Sequence, residues 1–207
     1  MDRRSFLAAS TASLAATSLL AADSDTKKPS LKKAVKYGMI GIKGSAADKL
    51  NLVKKLGFQG VEIDSPSGID LDELNKAVKE TGIVVHGVID SVHWGQPLSS
   101  PDEKVRAKGL AALRTALADA KKVGADTVLL VPGVVNKDVT YKECWERSTA
   151  EVKKVLEDAE KAGVKIAIET VWNNFITKPE QLVKYVDQFE SKWVGAYFDI
   201  SNMLKYG

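Results

Sequence analysis

Two carboxylates carry the most chemistry in this sequence. Glu169 closes the apolar run Val164-Lys-Ile-Ala-Ile and is followed at once by Trp172, Asn173 and Asn174. Asp199 closes Trp193-Val-Gly-Ala-Tyr-Phe and leads into Ser201 and Asn202. A strand end buried in a core needs no carboxylate, and leaving one there without a partner costs several kcal/mol. No lysine or arginine lies within either strand end to supply the opposite charge. A divalent cation shared by Glu169 and Asp199 would answer both needs together. Other polar residues fall at comparable places: Glu62 and Asp64 at the end of one apolar run, His93 and Trp94 just past another, Asn136 beyond a third. Asp64 has an alternative use in satisfying the following loop, and Glu62 is open between the two roles. His93 and Trp94, in a loop too long for a mere connection, lean towards substrate contact. His86, in mid-run, reads as a hydrogen-bonded core histidine.

The elements that must position these groups follow one repeated pattern. Apolar runs at Val35–Ile42, Gly60–Asp64, Ile83–Ile89, Ala125–Val131, Val164–Glu169 and Trp193–Asp199 are near-continuous, as in parallel strands covered on both faces. Between them stand helix-start signals of the capping-box kind, in which a Ser, Thr or Asp side chain and a carboxylate three residues on satisfy each other's backbone N–H groups. They are Ser45-x-x-Asp48, Asp70-x-x-Glu73, Ser100-x-x-Glu103, Thr140-x-x-Glu143 and Thr177-x-x-Glu180. Gly57, Gly82, Gly124 and Gly163 sit where a left-handed helix terminus is wanted. A stripe from Tyr141 through Cys144, Ser148 and Val152 to Ala159 has helical spacing, so Cys144 reads as a buried thiol.

Repeated strand–helix units give an open doubly wound sheet or a (βα)8 barrel. The first turn, Gly38-Met-Ile-Gly41-Ile-Lys-Gly44, has the wrong spacing for a dinucleotide fingerprint, and no phosphate-binding P-loop appears. In a barrel, chemistry collects at the C-terminal strand ends, and the polar residues collect there.

Composition bounds the rest. The chain of 207 residues is 44% hydrophobic and 28% charged, with a net charge of +3, one cysteine and two histidines. A balance this even argues against a nucleic-acid surface, and one cysteine excludes an internal disulfide framework. Asp2-Arg-Arg-Ser-Phe-Leu7 and the soft Ala/Ser/Leu stretch after it have the layout of a twin-arginine export signal over residues 1–22. A lysine-rich linker over 23–34 follows, then the domain from 35 to 207. The expected location is therefore periplasmic.

Val-Glu-Ile-Asp at 61–64, Ser-Val-His-Trp at 91–94, Pro-Leu-Ser at 97–99, Val-Pro-Gly at 131–133, Glu-Thr-Val-Trp-Asn-Asn-Phe at 169–175 and Phe-Asp-Ile-Ser-Asn at 198–202 occur in order. Together they resemble the sugar phosphate isomerase/epimerase family, the xylose-isomerase-like TIM barrels that include ketose 3-epimerases and hydroxypyruvate isomerases. The resemblance implies an α/β (β/α)8 barrel of which strands one to six are present. It implies a divalent metal, Mn2+ first and Mg2+ or Zn2+ as alternatives, with Glu169 and Asp199 as two of its ligands. A histidine on strand seven and a glutamate on strand eight would complete the set, and neither strand falls within these residues. The 207 residues are short of the roughly 250 of such a barrel, so the expectation is a truncated barrel, a poor catalyst alone.

The implied reaction is isomerisation or epimerisation by proton abstraction beside a ketose carbonyl, with Glu169 as catalytic base. His93, Trp94, Trp172, Asn173, Asn202 and Glu62 would contact the sugar, although Trp172 and Asn173 have the alternative of only shielding the barrel mouth. Asn202 stands where related epimerases often carry histidine, and its amide keeps a hydrogen-bonding contact available. The sugar would be the partner, with no nucleic acid, the membrane met only during export, and a homo-oligomer left open. A metal nuclease on the same barrel would want more histidines than two. A non-catalytic sugar binder would keep the aromatic mouth but not need Glu169.

Overall fold

The computed structural model describes residues 31–206. The expected export signal and the first part of the expected linker lie outside the described residues. Six parallel strands form one sheet in the order of the chain: β1 (Ala34–Lys36), β2 (Gly60–Ser65), β3 (Val84–Asp90), β4 (Thr127–Leu130), β5 (Lys165–Glu169) and β6 (Val194–Tyr197). The helices between them are α1 (Ala46–Lys55), α2 (Leu71–Thr81), α3 (Glu103–Val123), α4 (Tyr141–Lys153), α5 (Leu156–Ala162) and α6 (Pro179–Asp187), with a short α7 (Ile200–Met203) after β6.

The first strand is shorter than the sequence suggests. The apolar run past Lys36 turns into a 3-10 helix at Tyr37–Met39, and Ala34, expected in the linker, already pairs with Gly60. Two helix starts also shift. The third helix is capped by Asp102, whose carboxylate accepts from Lys104 N–H, and Ser100 lies outside it. At α6 the reaching side chain is Gln181, which accepts from the Thr177 and Lys178 N–H groups, and Glu180 takes no part. The boxes at Ser45/Asp48 and Thr140/Glu143 form as read. The long stripe after Tyr141 is broken into two helices at Lys154–Val155.

The alternation along each strand separates two faces. On β2, Val61 and Ile63 are buried in the helix-side core with Leu50, Leu74 and Leu113. Ser65 points the same way and its hydroxyl donates to Asp119 of α3 at 2.5 Å. Glu62 and Asp64, one residue out of phase, must face the opposite, inner side. On β5, Ile166 and Ile168 join the helix-side core while Ala167 and Glu169 face inward. Strand register carries this phase across the sheet: Lys36 pairs with Glu62 and Glu169 with Tyr197. The Tyr197 hydroxyl donates to Glu62 at 3.1 Å, a contact from the sixth strand to the second that a flat sheet could not make. The sheet is curled, with its inner face concave.

Helix α3 lies close against the loop that follows β3. Gly109 is buried in mid-helix, and a Cβ there would run into the carbonyl oxygen of Gln96. In an exposed helix a Gly→Ala change gains about 1 kcal/mol. Here Gly109→Ala should instead destabilise the protein by roughly 1–3 kcal/mol, the usual cost of overpacking, read as a lower urea midpoint with an unchanged slope.

Candidate active site

The inner face gathers its charged residues at the C-terminal strand ends. Lys36 from β1 meets Asp64 from β2, with Nζ 2.8 Å from Oδ1. Glu62 accepts from Tyr197. Glu169 ends β5 beside Tyr197. Asp199 follows β6 and caps α7, its Oδ1 accepting from the Ser201 N–H at 2.8 Å, the Ser201 hydroxyl at 2.7 Å and the Asn202 N–H at 2.9 Å.

These partners divide the two carboxylates by environment. Three hydrogen bonds to Asp199, the Asn202 N–H first, hold its carboxyl below the usual range. Glu169 has no such donors. Burial, then the charges of Asp199 and Glu62, push its carboxyl up to about 7, with the Lys36 ammonium pulling the other way. Two carboxyls at neighbouring strand ends whose affinities for a proton are driven apart are the arrangement acid/base chemistry needs. The Tyr197 hydroxyl is raised by burial and by the same carboxylates, so it stays a donor to Glu62.

His93 is 6% exposed. Its Nδ1 accepts from the Val131 N–H at 3.4 Å, which places the ring proton on Nε2. Burial first, and then Lys36, lower its imidazole to about 4, against the opposing pull of Asp64. It is a neutral donor at working pH. Trp94 packs edge-on to it, ring centroids 5.7 Å apart, and is 53% exposed.

The loops that frame this face are pinned to each other. Asn173 is buried; its amide donates to the Gly133 carbonyl at 2.7 Å and its side-chain oxygen accepts from the Phe175 N–H. Asn173 thus ties the loop after β5 to the loop after β4, an arrangement that also suits the alternative reading in which this loop shields the barrel mouth. Gly133 is equally confined, since a Cβ there would lie 2.7 Å from Cys144 Sγ and from Ser99 Cβ. Cys144 is fully buried and its thiol is pushed up to about 12 by burial, which suits a packing role. Trp172 is 59% exposed with Lys205 4.5 Å over its ring. Tyr206 ties the segment after α7 to the β5 loop, donating to the Val171 carbonyl and accepting from the Asn174 N–H, both at 3.2 Å. Asn202 is half-buried and bonds Asp199 through its backbone.

As a metal site the arrangement is a part-shell. Glu169 and Asp199 offer the oxygen donors that manganese and magnesium prefer, and the repulsion that raises Glu169 is what a bound dication would relieve. Among the described residues no three His, Cys, Asp or Glu side chains cluster closely enough to hold an ion alone.

With this geometry in place, residues 50–207 match the family model described as "Xylose isomerase-like TIM barrel". The chain belongs to that family. It is 30% identical over 167 residues to L-ribulose-5-phosphate 3-epimerase UlaE of Escherichia coli, a match over 75% of this chain and 59% of that protein. The chain therefore spans less than two thirds of the length of these relatives. Among solved structures, D-psicose 3-epimerase from Clostridium cellulolyticum H10, determined with D-tagatose, superposes with a TM-score of 0.66 at 26% identity, over 79% of this chain and 62% of that one. The IOLI protein with a bound zinc atom superposes with a TM-score of 0.70 at 20% identity, over 86% and 66%. The six-stranded parallel sheet is thus the xylose-isomerase-like barrel scaffold.

Two site residues escaped the sequence reading. Lys36, paired with Asp64, also brings positive charge to bear on Glu169 at the end of β5, arriving from β1 across the curl. Its signal was present: a lysine within the otherwise apolar Val35-Lys-Tyr-Gly-Met-Ile run. Tyr197 carries no sequence signal beyond its place in the apolar run that Asp199 closes.

The buried neutral imidazole has a measurable consequence. With its value near 4 in the fold against 6.5 unfolded, the unfolded chain binds the extra proton between those limits, so stability falls as pH drops from 6.5 to 4. His93→Asn keeps an acceptor near Nδ1 and removes the titration. The stability difference, parent minus variant, should grow by up to about 3 kcal/mol from pH 4 to 6.5, measured by urea unfolding across that range.

Proposed function

We propose that this chain carries the first six strand–helix units of a divalent-metal-dependent sugar isomerase or epimerase that moves a proton beside a ketose carbonyl. The observation that supports it most is the pair Glu169 and Asp199: one carboxyl held anionic by three donors, the other pushed to about 7 by burial and by its neighbours. The epimerase relatives and the family membership point the same way.

In this reading a bound divalent metal, Mn2+ in preference to Mg2+ or Zn2+, would supply Lewis-acid stabilisation of the charge that develops on the substrate oxygens. Glu169 and Asp199 are the residues that would hold it. Glu169 also takes the proton from the carbon next to the carbonyl, giving an enediolate. A dication beside Glu169 would favour its ionised form, the form that accepts a proton. A second acid on the opposite face of the planar enediolate returns a proton to the same carbon for epimerisation, whereas return to the adjacent carbon gives isomerisation. Asp199, fixed by the α7 N-terminus, keeps its charge throughout and orients. Trp94 and Trp172 offer exposed indole faces to the sugar's C–H groups. The twin-arginine-like start at Arg3-Arg4 supports an export signal, and with it a periplasmic location for the protein.

The runner-up, a sugar-binding barrel without catalysis, has no use for a carboxylate kept at high cost on the inner face. Glu169→Gln separates the two. Solvent deuterium incorporation next to the carbonyl of a ketose should fall by at least about a hundredfold, the usual contribution of a positioned base. Incorporation unchanged by the substitution would falsify the enzymatic reading. In metal-free protein above pH 7 the same variant should melt at a higher temperature than the parent. There the ionised Glu169 is disfavoured by the fold, and the neutral amide removes that cost.

A further inference from the structure

Between α3 and α4, outside the inner face, a carboxylate is buried that the site does not use. Glu151 of α4 has a side chain only 6% exposed. A carboxylate removed from water needs a countercharge, and Lys154, its Nζ 2.8 Å from Oε2, already supplies one. Glu151 nevertheless has a second cation. Arg106 of α3 brings its Nε to 3.2 Å from Oε1. The other donors of that guanidinium set it apart from a plain ion pair. Its Nη1 donates to the Ser100 carbonyl at 2.8 Å and to the Pro101 carbonyl at 3.1 Å. Arg147 of α4 donates to the Ser99 carbonyl at 3.4 Å. Three successive carbonyls of the loop after β3 are thus held by guanidinium groups.

That stretch of loop reaches the site by a short route. Ser99 is buried, and its hydroxyl accepts the Val134 N–H at 3.0 Å. Val134 has neighbours on both sides that meet the loop after β5. The Gly133 carbonyl accepts from Asn173 Nδ2 at 2.7 Å, and the Val135 N–H donates to the Asn173 carbonyl at 3.0 Å. Asn173 lies four residues past Glu169.

Resting on the function proposed above, we infer that Arg106, oriented by Glu151, is a positioning residue for the proton-transfer carboxylate Glu169. It fixes residues 99–101, and through Ser99 it holds the loops after β4 and β5 in one arrangement. The planar guanidinium suits this task, since its donors point in fixed directions and serve the carboxylate and the carbonyls together. A lysine would keep the charge but could not hold that fork. The effect is on geometry, where a displacement of about 1 Å can cost roughly a hundredfold in rate.

The test is amide hydrogen exchange on the full metal-free chain, with Arg106→Lys and Ser99→Ala as variants and urea unfolding to show that each is folded. Arg106→Lys should speed exchange of the Val134, Val135 and Phe175 N–H groups at least about tenfold. Amides of α1 and β2, which lie off the route, should change by less than about twofold. Ser99→Ala cuts the same route one step later. At Val135 and Phe175 the double variant should therefore exchange no faster than the quicker single variant. Unchanged exchange at the three amides overturns the inference. So does a rise spread evenly over α1 and β2, the mark of a residue that only holds the fold, and so do single effects that multiply in the double variant. Solvent deuterium incorporation into L-ribulose and L-ribulose 5-phosphate, with Mn2+ added, keeps the two ideas apart. Arg106→Lys should lower kcat at least about tenfold and leave KM within about twofold. Looser amides with an unchanged kcat overturn the positioning role and leave the function standing. Parent protein that exchanges neither sugar counts against the function and leaves the Arg106 clamp to the amide result.

Discussion

Everything at this site follows from placing several carboxylates on the concave side of one curled sheet. Glu62, Asp64 and Glu169 face inward because their strand neighbours Val61, Ile63 and Ile168 are committed to the helices, and a strand alternates. Desolvated like charges repel, and the molecule meets the cost piece by piece. Asp64 has the Lys36 ammonium, Glu62 the Tyr197 hydroxyl, and Asp199 the three donors at the start of α7. Glu169 is the one left without a dedicated partner, and it is the one whose proton affinity is driven towards neutrality. Strain of this kind, held by a well-packed surround, is where reactive groups are found.

The surround is rigid for reasons that are equally local. The β4 loop is fastened from three directions: by Ser99, whose hydroxyl accepts the Val134 N–H, by the Asn173 amide on the Gly133 carbonyl, and by Cys144 packed beneath Gly133. Tyr206 and Lys205 then bind the segment after β6 to the β5 loop. Glu169 and Asp199 are thereby carried on loops that are fixed to each other. This is a positioning task, and it explains why buried Asn173 and Cys144 occur so near a polar face.

Much of the fold could be read directly from the chain. The inter-strand glycine and capping signals are local chemistry, and Ser45/Asp48, Thr140/Glu143, Gly82, Gly124 and Gly163 act where their types require. Where the reading slipped, a nearby residue competed for the same task. Asp102 out-competed Ser100 as a cap, Gln181 replaced Glu180, and the 3-10 turn at Tyr37 ended a strand whose apolar run continues. Such choices are decided by which side chain is geometrically closest, and sequence spacing does not fix that within two residues.

The site divides along the same line. That Glu169 and Asp199 are costly where they stand was evident from the sequence, because an apolar strand with a terminal carboxylate announces its own penalty. Who shares the penalty was not. Lys36 and Glu169 are more than a hundred residues apart in the chain, and only the curl of the sheet sets them on one face. The same curl brings Tyr197 to Glu62, and loop packing turned Asn173 inward and fixed the His93 ring through the Val131 N–H. The sequence alone determined the strand–helix order and the chemical types at each strand end, since both rest on interactions within a few residues. Only the tertiary structure decided which charges meet, because a Coulomb interaction depends on distance through space and not along the chain.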